Sequence, residues 1–129
     1  MLIADYTGSL NERMKVLNLL LKEKNDLILV GSSFGGLMAS IFTCDHVEKV
    51  KKLILLAPAL NYPEFSACSN RRIHTPVIIY HGKHDAVVPP EPVLAIAKKA
   101  FIHIRYHCVE DDHALHDTFM SLDWNRLLT

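Results

Sequence analysis

Residues 27–36 read Leu-Ile-Leu-Val-Gly-Ser-Ser-Phe-Gly-Gly, and this stretch decides the fold. Its first four residues are a continuous apolar run, which is typical of a strand buried on both faces of a parallel sheet. The glycine-rich segment 31–36 follows directly and opens a predicted helix over residues 34–44. A strand, a tight glycine turn and a helix in direct succession indicate an α/β fold.

Short apolar runs alternate with helical patterns along the whole chain. Predicted strands span residues 2–6, 27–30, 53–57, 77–81 and 102–108. Predicted helices span residues 9–24, 34–44, 91–100 and 115–128. Ser9 and Glu12 match a capping box at the start of the first helix. We therefore expect one domain over residues 1–129, with a three-layer α/β/α arrangement and about five mainly parallel strands.

Two segments depart from this regular alternation. In the last strand, apolar residues alternate with His103, Arg105 and His107, which predicts a strand at the sheet edge with one face toward solvent. Residues 61–75 show no clear period, and we interpret them as an excursion that forms a small lid.

Composition excludes several classes of function. The formal net charge is zero and no basic cluster is present, so neither nucleic acid nor an anionic membrane surface is an expected partner. No apolar run approaches the roughly 20 residues that span a bilayer, and the first residues do not resemble a signal peptide. The eight histidines show no metal-ligand spacing, so no metal site is expected.

The cysteines bear on the expected location of the protein. The chain has an odd number of cysteines, and they are widely spaced: Cys44, Cys68 and Cys108. This pattern favours reduced, buried thiols and a cytoplasmic location over a disulfide framework.

The glycine turn has the spacing of a nucleophile motif. Gly31, Ser33 and Gly35 fit Gly-x-Ser-x-Gly between a strand and a helix, which is the context that the motif requires. The glycines let neighbouring backbone approach the serine, and the helix N-terminus favours developing negative charge. The N–H of Phe34 is the candidate oxyanion donor. Ser32 is the rival serine, although it lacks a glycine two residues before it.

A serine hydroxyl needs a base that takes its proton and an acid that orients the base. Asp85 follows the strand at 77–81, and His113 follows the strand at 102–108. Because ligands of open α/β sheets bind at the carboxyl ends of the strands, these residues are the candidate acid and base. The competing bases are His84, on the same loop as Asp85, and His116, which we expect to face outward from the last helix.

Together these segments resemble the α/β-hydrolase superfamily, above all its small bacterial serine hydrolases of the esterase or dienelactone-hydrolase type. The resemblance rests on Gly-Ser-Ser-Phe-Gly-Gly, His-Gly-Lys-His-Asp-Ala-Val-Val-Pro and Asp-Asp-His, in that order, and covers residues 27–128. It implies a minimal α/β-hydrolase fold with Ser33 as nucleophile, Asp85 as acid and His113 as base. It also implies hydrolysis of a carboxylic ester, thioester or amide without a cofactor.

The resemblance is incomplete at the N-terminus. Members of the superfamily carry an upstream strand and a loop, often His-Gly, that donates a second oxyanion N–H. We expect either a truncated or minimal form that lacks this donor, or a donor supplied by residues 7–8 or by a partner chain. We also expect a homodimer that covers the sheet face beside the last helix. The alternative function is a catalytically silent hydrolase-fold module used for binding or assembly; a flavodoxin-like nucleotide binder is disfavoured because no phosphate loop is evident.

Overall fold

The structure is a computed structural model that describes residues 9–129. Its regular elements are, in chain order, α1 (Leu10–Leu21), β1 (Leu27–Ser32), α2 (Phe34–Asp45), β2 (Val50–Leu56), β3 (Val77–Gly82), α3 (Pro90–Ala100), β4 (Ile104–Val109), α4 (His116–Ser121) and α5 (Trp124–Leu127). Short 3₁₀ helices lie at Val47–Lys49 and Pro63–Cys68. The strand predicted at residues 2–6 lies outside the described residues.

The described strands form one four-stranded sheet in the order β1-β2-β3-β4. Every neighbouring pair is parallel, which confirms the predicted parallel sheet. All four strands therefore end at the same edge of the sheet. The segments that follow β1, β3 and β4 are brought together there, and these segments carry the predicted site residues.

The two faces of the sheet are covered by different helices. On one face, Leu53 and Leu55 of β2 share a buried cluster with residues of α2 and α3. On the other face, Leu56 packs near the carboxyl end of the sheet with Leu115, Leu122 and Trp124 from the last part of the chain. Side chains alternate between faces along a strand, so one apolar run serves both clusters. This is the predicted three-layer arrangement.

The first described helix begins as the capping pattern predicts. The Ser9 side chain accepts the backbone N–H of Glu12 at 3.3 Å, which satisfies one of the unpaired donors at the start of α1. Leu17 and Leu21 then pack against Met38 and Phe42 of α2. Within residues 9–129, no helix is long and apolar enough to cross a membrane.

The last strand lies beside β3 alone in the described sheet, and His103, Arg105 and His107 are exposed, as predicted. It begins at Ile104 rather than at residue 102, because the N–H of Ile102 donates to the carbonyl of Ile73 instead of joining the ladder with β3.

The single helix predicted over residues 115–128 is wrong. The segment forms two short helices, α4 and α5, separated by Leu122 and Asp123. The backbone of Leu122 is extended (φ −70°, ψ 142°). The break has a local cause: the Asp123 carboxylate accepts the N–H of Arg126 at 3.2 Å and starts α5 as a new helix. Aspartate is a strong N-cap and a weak helix-interior residue.

The prediction of three reduced, buried thiols holds only for the burial of Cys44 and Cys68 and is otherwise wrong. Cys44 and Cys68 form a disulfide with a Cα–Cα distance of 6.1 Å, and Cys108 is exposed. Sequence spacing did not indicate this pair, because α2 and the 3₁₀ helix Pro63–Cys68 become neighbours only in the folded chain. The cytoplasmic location loses this support and stays a prediction.

The excursion at 61–75 is anchored to the body of the domain. Phe65 and Cys68 are buried, and the Phe65 ring stacks on Phe101 with a centroid distance of 6.3 Å. Its interpretation as a lid stays a prediction.

Candidate active site

Ser33 occupies the turn between β1 and α2 and has φ 53° and ψ −116°. Three hydrogen bonds hold this backbone. The Ser33 N–H donates to the carbonyl of Leu56 at 2.9 Å, and the Ser33 carbonyl accepts from the N–H groups of Leu37 at 3.2 Å and Ala59 at 3.0 Å. The sharp turn places the half-buried serine at the N-terminal end of α2 and at the carboxyl end of the sheet.

The two motif glycines around Ser33 differ in how closely other atoms approach them. A Cβ on Gly31 would meet the carbonyl of Gly35 and lie 2.8 Å from the Cα of Gly36, so the close approach predicted at position 31 is confirmed. A Cβ on Gly35 would meet nothing within 4 Å, and the steric reason given for that glycine is wrong. Gly36 is the second constrained position, because a Cβ there would lie 2.9 Å from Pro58.

The structure brings together the three residues that the sequence selected. His113 Nε2 lies 3.0 Å from Ser33 Oγ, and His113 Nδ1 lies 2.7 Å from Asp85 Oδ2. An ionised carboxylate only accepts hydrogen bonds, so Nδ1 carries a hydrogen, and in the neutral ring Nε2 accepts from the serine hydroxyl. Such a chain can pass the serine proton to the imidazole while the carboxylate stabilises the imidazolium.

The environment of Asp85 keeps its carboxylate ionised. Its side chain is fully buried, and Oδ1 accepts the backbone N–H groups of Val87 at 2.8 Å and Val88 at 2.7 Å. Burial raises the pKa of Asp85, but the hydrogen bonds from Val88, His113 and Val87 outweigh it and hold the pKa below its ordinary value. The result is a charged acceptor with both oxygens engaged.

The loops that carry the acid and the base are bonded to each other. A Cβ on Gly82 would meet the carbonyls of Asp111 and Asp112, so this glycine lets the loop before His113 lie against the end of β3. The N–H of His84 donates to the carbonyl of Asp111 at 3.1 Å. The Asp111 carboxylate in turn accepts from the N–H and the hydroxyl of Thr118, at 3.0 and 2.8 Å. The hydrogen bonds from Thr118 lower the pKa of Asp111.

The rival residues lie apart from this hydrogen-bonded chain. Ser32 is exposed at the end of β1. His84 is turned toward Glu110, with Nε2 2.8 Å from Oε2. This contact is the first cause of the lowered pKa of Glu110. His116 is exposed at the first position of α4, as predicted.

Phe34 is the first residue of α2, so its N–H has no acceptor within the helix. Its ring contacts Tyr62 edge to face at 5.7 Å and lies 4.7 Å below the guanidinium of Arg13. The segment predicted to supply a second oxyanion donor, residues 7–8, lies outside the described residues.

One residue beside the acid was not selected from the sequence. His81 is completely buried at the end of β3, with Nε2 2.9 Å from the carbonyl of Val88 and 3.2 Å from Asp85 Oδ2. The signal in the sequence was a histidine that directly continues a buried apolar run, a position where an unpaired polar side chain is costly.

One group of metal-ligating side chains is compact enough to be considered as an ion site. Among residues 9–129, the grouping close enough to hold an ion is Cys44, Asp45 and Cys68. Its two sulfur atoms are joined to each other in the disulfide, so they do not offer thiolates.

Solved structures with the same architecture are numerous. An alpha-beta serine hydrolase homologue from Coxiella burnetii matches 96% of this chain with a TM-score of 0.76 and 24% identity. A predicted CIB-like hydrolase from Thermoplasma acidophilum matches 93% of it, with a TM-score of 0.75 and 22% identity. Est1E from Butyrivibrio proteoclasticus matches 94%, with a TM-score of 0.73 and 19% identity. At these identities the likeness is one of fold.

The chain spans 60% of the length of the Coxiella and Thermoplasma proteins and 70% of Est1E. A comparison with curated protein sequences finds no match. The family model of the alpha/beta hydrolase fold matches residues 4–68, just over half of the 129 residues, and this range includes β1, the Ser33 turn and α2. On the match of fold and family model together, the chain belongs to the alpha/beta hydrolase fold family.

Proposed function

We propose that the protein is a serine hydrolase that cleaves a small carboxylic ester or thioester through an acyl-enzyme. The observation that carries the proposal is the continuous hydrogen-bonded chain from Ser33 Oγ through the His113 ring to Asp85, at 3.0 and 2.7 Å. The three residues come from three separate loops, and both distances are ordinary hydrogen-bond lengths. Nucleophile activation requires this geometry.

The reaction divides the work among the three residues. Ser33 Oγ attacks the substrate carbonyl carbon while His113 Nε2 takes the hydroxyl proton. The tetrahedral intermediate collapses, the carbon–oxygen or carbon–sulfur bond breaks, and His113 returns the proton to the leaving alcohol or thiol. Water then repeats the sequence on the acyl-Ser33 ester and releases the acid. Asp85 holds the ring in place and stabilises its charged form.

The developing oxyanion requires hydrogen-bond donors near Ser33. The N–H of Phe34 is one proposed donor, since it is unpaired within the helix and lies at the positive end of the α2 dipole. Loss of one donor from such a site lowers turnover by about 10²–10³-fold. An efficient enzyme therefore requires a second donor. Without one, the alternative function gains support: a catalytically silent hydrolase-fold module used for binding or assembly.

Hydrolysis of p-nitrophenyl acetate tests the proposal. The wild type should release p-nitrophenol in a reaction that needs no added metal or cofactor. Ser33→Ala and His113→Ala should each lose activity by about 10⁴-fold or more, because removal of either residue disables the whole unit.

Ser32→Ala is the matched control, since it removes the same hydroxyl from the adjacent exposed residue. It should retain activity close to that of the wild type. Hydrolysis that survives Ser33→Ala but is lost in Ser32→Ala would refute the assignment. A folded wild type that hydrolyses no p-nitrophenyl ester of any chain length would favour the silent module.

A further inference from the structure

His81 is a buried titratable group for which the proposed reaction has no step. Its side chain is completely inaccessible to solvent. It lies four residues before Asp85, where β3 ends and the loop of residues 83–89 begins; because this loop carries Asp85, we call it the acid loop. A histidine in such a place loses its hydration, and it is retained at a cost unless it makes specific hydrogen bonds.

The partners of the ring fix which nitrogen carries the hydrogen. Nε2 lies 2.9 Å from the backbone carbonyl of Val88, which is only an acceptor. Its second neighbour is Asp85 Oδ2 at 3.2 Å, which accepts when ionised. The Nε2–H therefore donates to Val88 and lies close to the carboxylate. Nδ1 is the described buried side-chain atom that has no hydrogen-bond partner.

Val88 connects His81 to the acid. Its carbonyl accepts from His81, and its own N–H donates to Asp85 Oδ1 at 2.7 Å. The residue is itself buried, with 3% of its surface exposed. Fixing the Val88 peptide from one side therefore fixes the donor that orients the carboxylate on the other.

The contacts extend from His81 to the nucleophile without a gap. His81 binds Val88, Val88 binds Asp85, Asp85 binds His113 and His113 binds Ser33. Because Nδ1 has no hydrogen-bond partner, the hydrogen bonding of the ring is confined to Nε2. Its geometry serves the Nε2 side, which faces the acid loop.

We propose that His81 is a positioning residue for the acid: its Nε2–H holds the Val88 peptide and thereby the rotamer of Asp85 that orients His113. This inference rests on the proposed serine-hydrolase function. It predicts that loss of the Nε2–H lowers kcat and leaves KM unchanged, because no link in the chain from His81 to Asp85 requires contact with the substrate.

The test compares three variants in hydrolysis of p-nitrophenyl acetate by the full chain. His81→Leu removes the donor and keeps an apolar side chain of similar size. His81→Gln places an amide N–H where Nε2–H was. Ile79→Val is the structural control, since it removes a buried methylene from the same strand and keeps the His81 side chain. All are assayed at a temperature where circular dichroism shows them folded.

We expect His81→Leu to lower kcat by roughly 10- to 100-fold, the order of effect that a misplacement of up to ~1 Å produces. KM should stay within about twofold, since ground-state binding is not altered. His81→Gln should recover most of the lost kcat, and Ile79→Val should keep the wild-type kcat. This pattern separates positioning from a general loss of stability.

Two results would overturn the inference: a folded His81→Leu with the kcat of Ile79→Val, or a folded His81→Gln no faster than His81→Leu. If His81→Leu does not fold, His81→Asn replaces it, because its shorter amide cannot reach the Val88 carbonyl. His81→Asn should then be slower than His81→Gln, and equal kcat values would reject the role. Ser33→Ala, run beside them, distinguishes this failure from failure of the proposed function, in which the wild type itself shows no Ser33-dependent turnover.

Discussion

Ser33 holds a backbone conformation that a residue with a Cβ adopts only at a cost of about 1–3 kcal/mol. Its positive φ is maintained by hydrogen bonds to the backbone of Leu56, Leu37 and Ala59. These hydrogen bonds therefore hold the turn in its strained conformation. Strain of this kind is concentrated at functional sites, where it presents a side chain that a relaxed turn would not.

The strain can be measured by comparing Ser33→Gly with Ser33→Ala. Both lack the hydroxyl, but only alanine keeps the Cβ. We expect the glycine variant to be more stable in urea unfolding by about 1 kcal/mol, after the greater freedom of glycine in the unfolded chain is subtracted from the relieved strain. If alanine is the more stable variant, the turn is not strained.

Asp85 makes stability depend on pH with a defined sign. Its pKa is lower in the folded than in the unfolded protein, so its ionised form stabilises the fold above the unfolded value of about 3.9. That contribution is lost as the pH falls below about 4 toward the folded pKa. The difference in unfolding free energy between wild type and Asp85→Asn should therefore shrink from pH 6 to pH 3. A difference that grows toward acid pH would contradict the assignment.

At the scale of elements, the junction of β1 and α2 depends on close backbone contact. A Cβ on Gly31 meets backbone atoms of Gly35 and Gly36, which cannot give way as a side-chain tip could. Position 35 is open. The two glycines of one motif are thus expected to respond oppositely to the same substitution.

We predict that Gly31→Ala lowers the free energy of unfolding by about 1–3 kcal/mol, as overpacking does. Gly35→Ala should raise it by about 0.5–1 kcal/mol, because alanine has the higher helix propensity in α2. Chemical denaturation of both variants checks this. Equal losses at the two positions would show that the turn is tight at both ends.

Much of the element order could be read from the sequence, because apolar runs and helical periods are local signals. Ser33 followed from the Gly-x-Ser-x-Gly spacing between a strand and a helix. Asp85 and His113 followed from the rule that loops after parallel strands converge. The division of the last helix, the Cys44–Cys68 pair and the contact of His81 with Val88 did not follow. Each depends on a capping choice or a neighbour that only the folded chain supplies.

At the scale of the whole molecule, the sheet face under α4 and α5 is apolar in one part and polar in another. The face under α4 and α5 is buried at Leu56, which packs against Leu115, whereas Arg105 and His107 are exposed on the β4 side of that same face. The predicted homodimer would have to cover what the last two helices leave accessible. The dimer stays a prediction. Because Arg105 and His107 are polar, we expect its interface to lie on the part of the face nearer β1.

Sedimentation velocity tests the dimer. We expect the wild type to sediment as a dimer at micromolar concentration. Ile28→Lys should sediment as a monomer, because Ile28 is half-buried and its neighbour Val30 packs on this face beside Leu56. A stable, specific interface buries roughly 1,200 Å² or more. A lysine buried in that interface without a partner would destabilise the dimer. A stable wild-type monomer would refute the prediction.

The central claim is that Ser33 is a nucleophile activated by His113. Its most direct test is reaction of the folded protein with a fluorophosphonate, followed by peptide mass spectrometry to locate the adduct. The account predicts one adduct on Ser33, absent from Ser33→Ala, retained in Ser32→Ala and formed far more slowly in His113→Ala. A folded wild type that is not labelled, or a label that persists in Ser33→Ala, would contradict it.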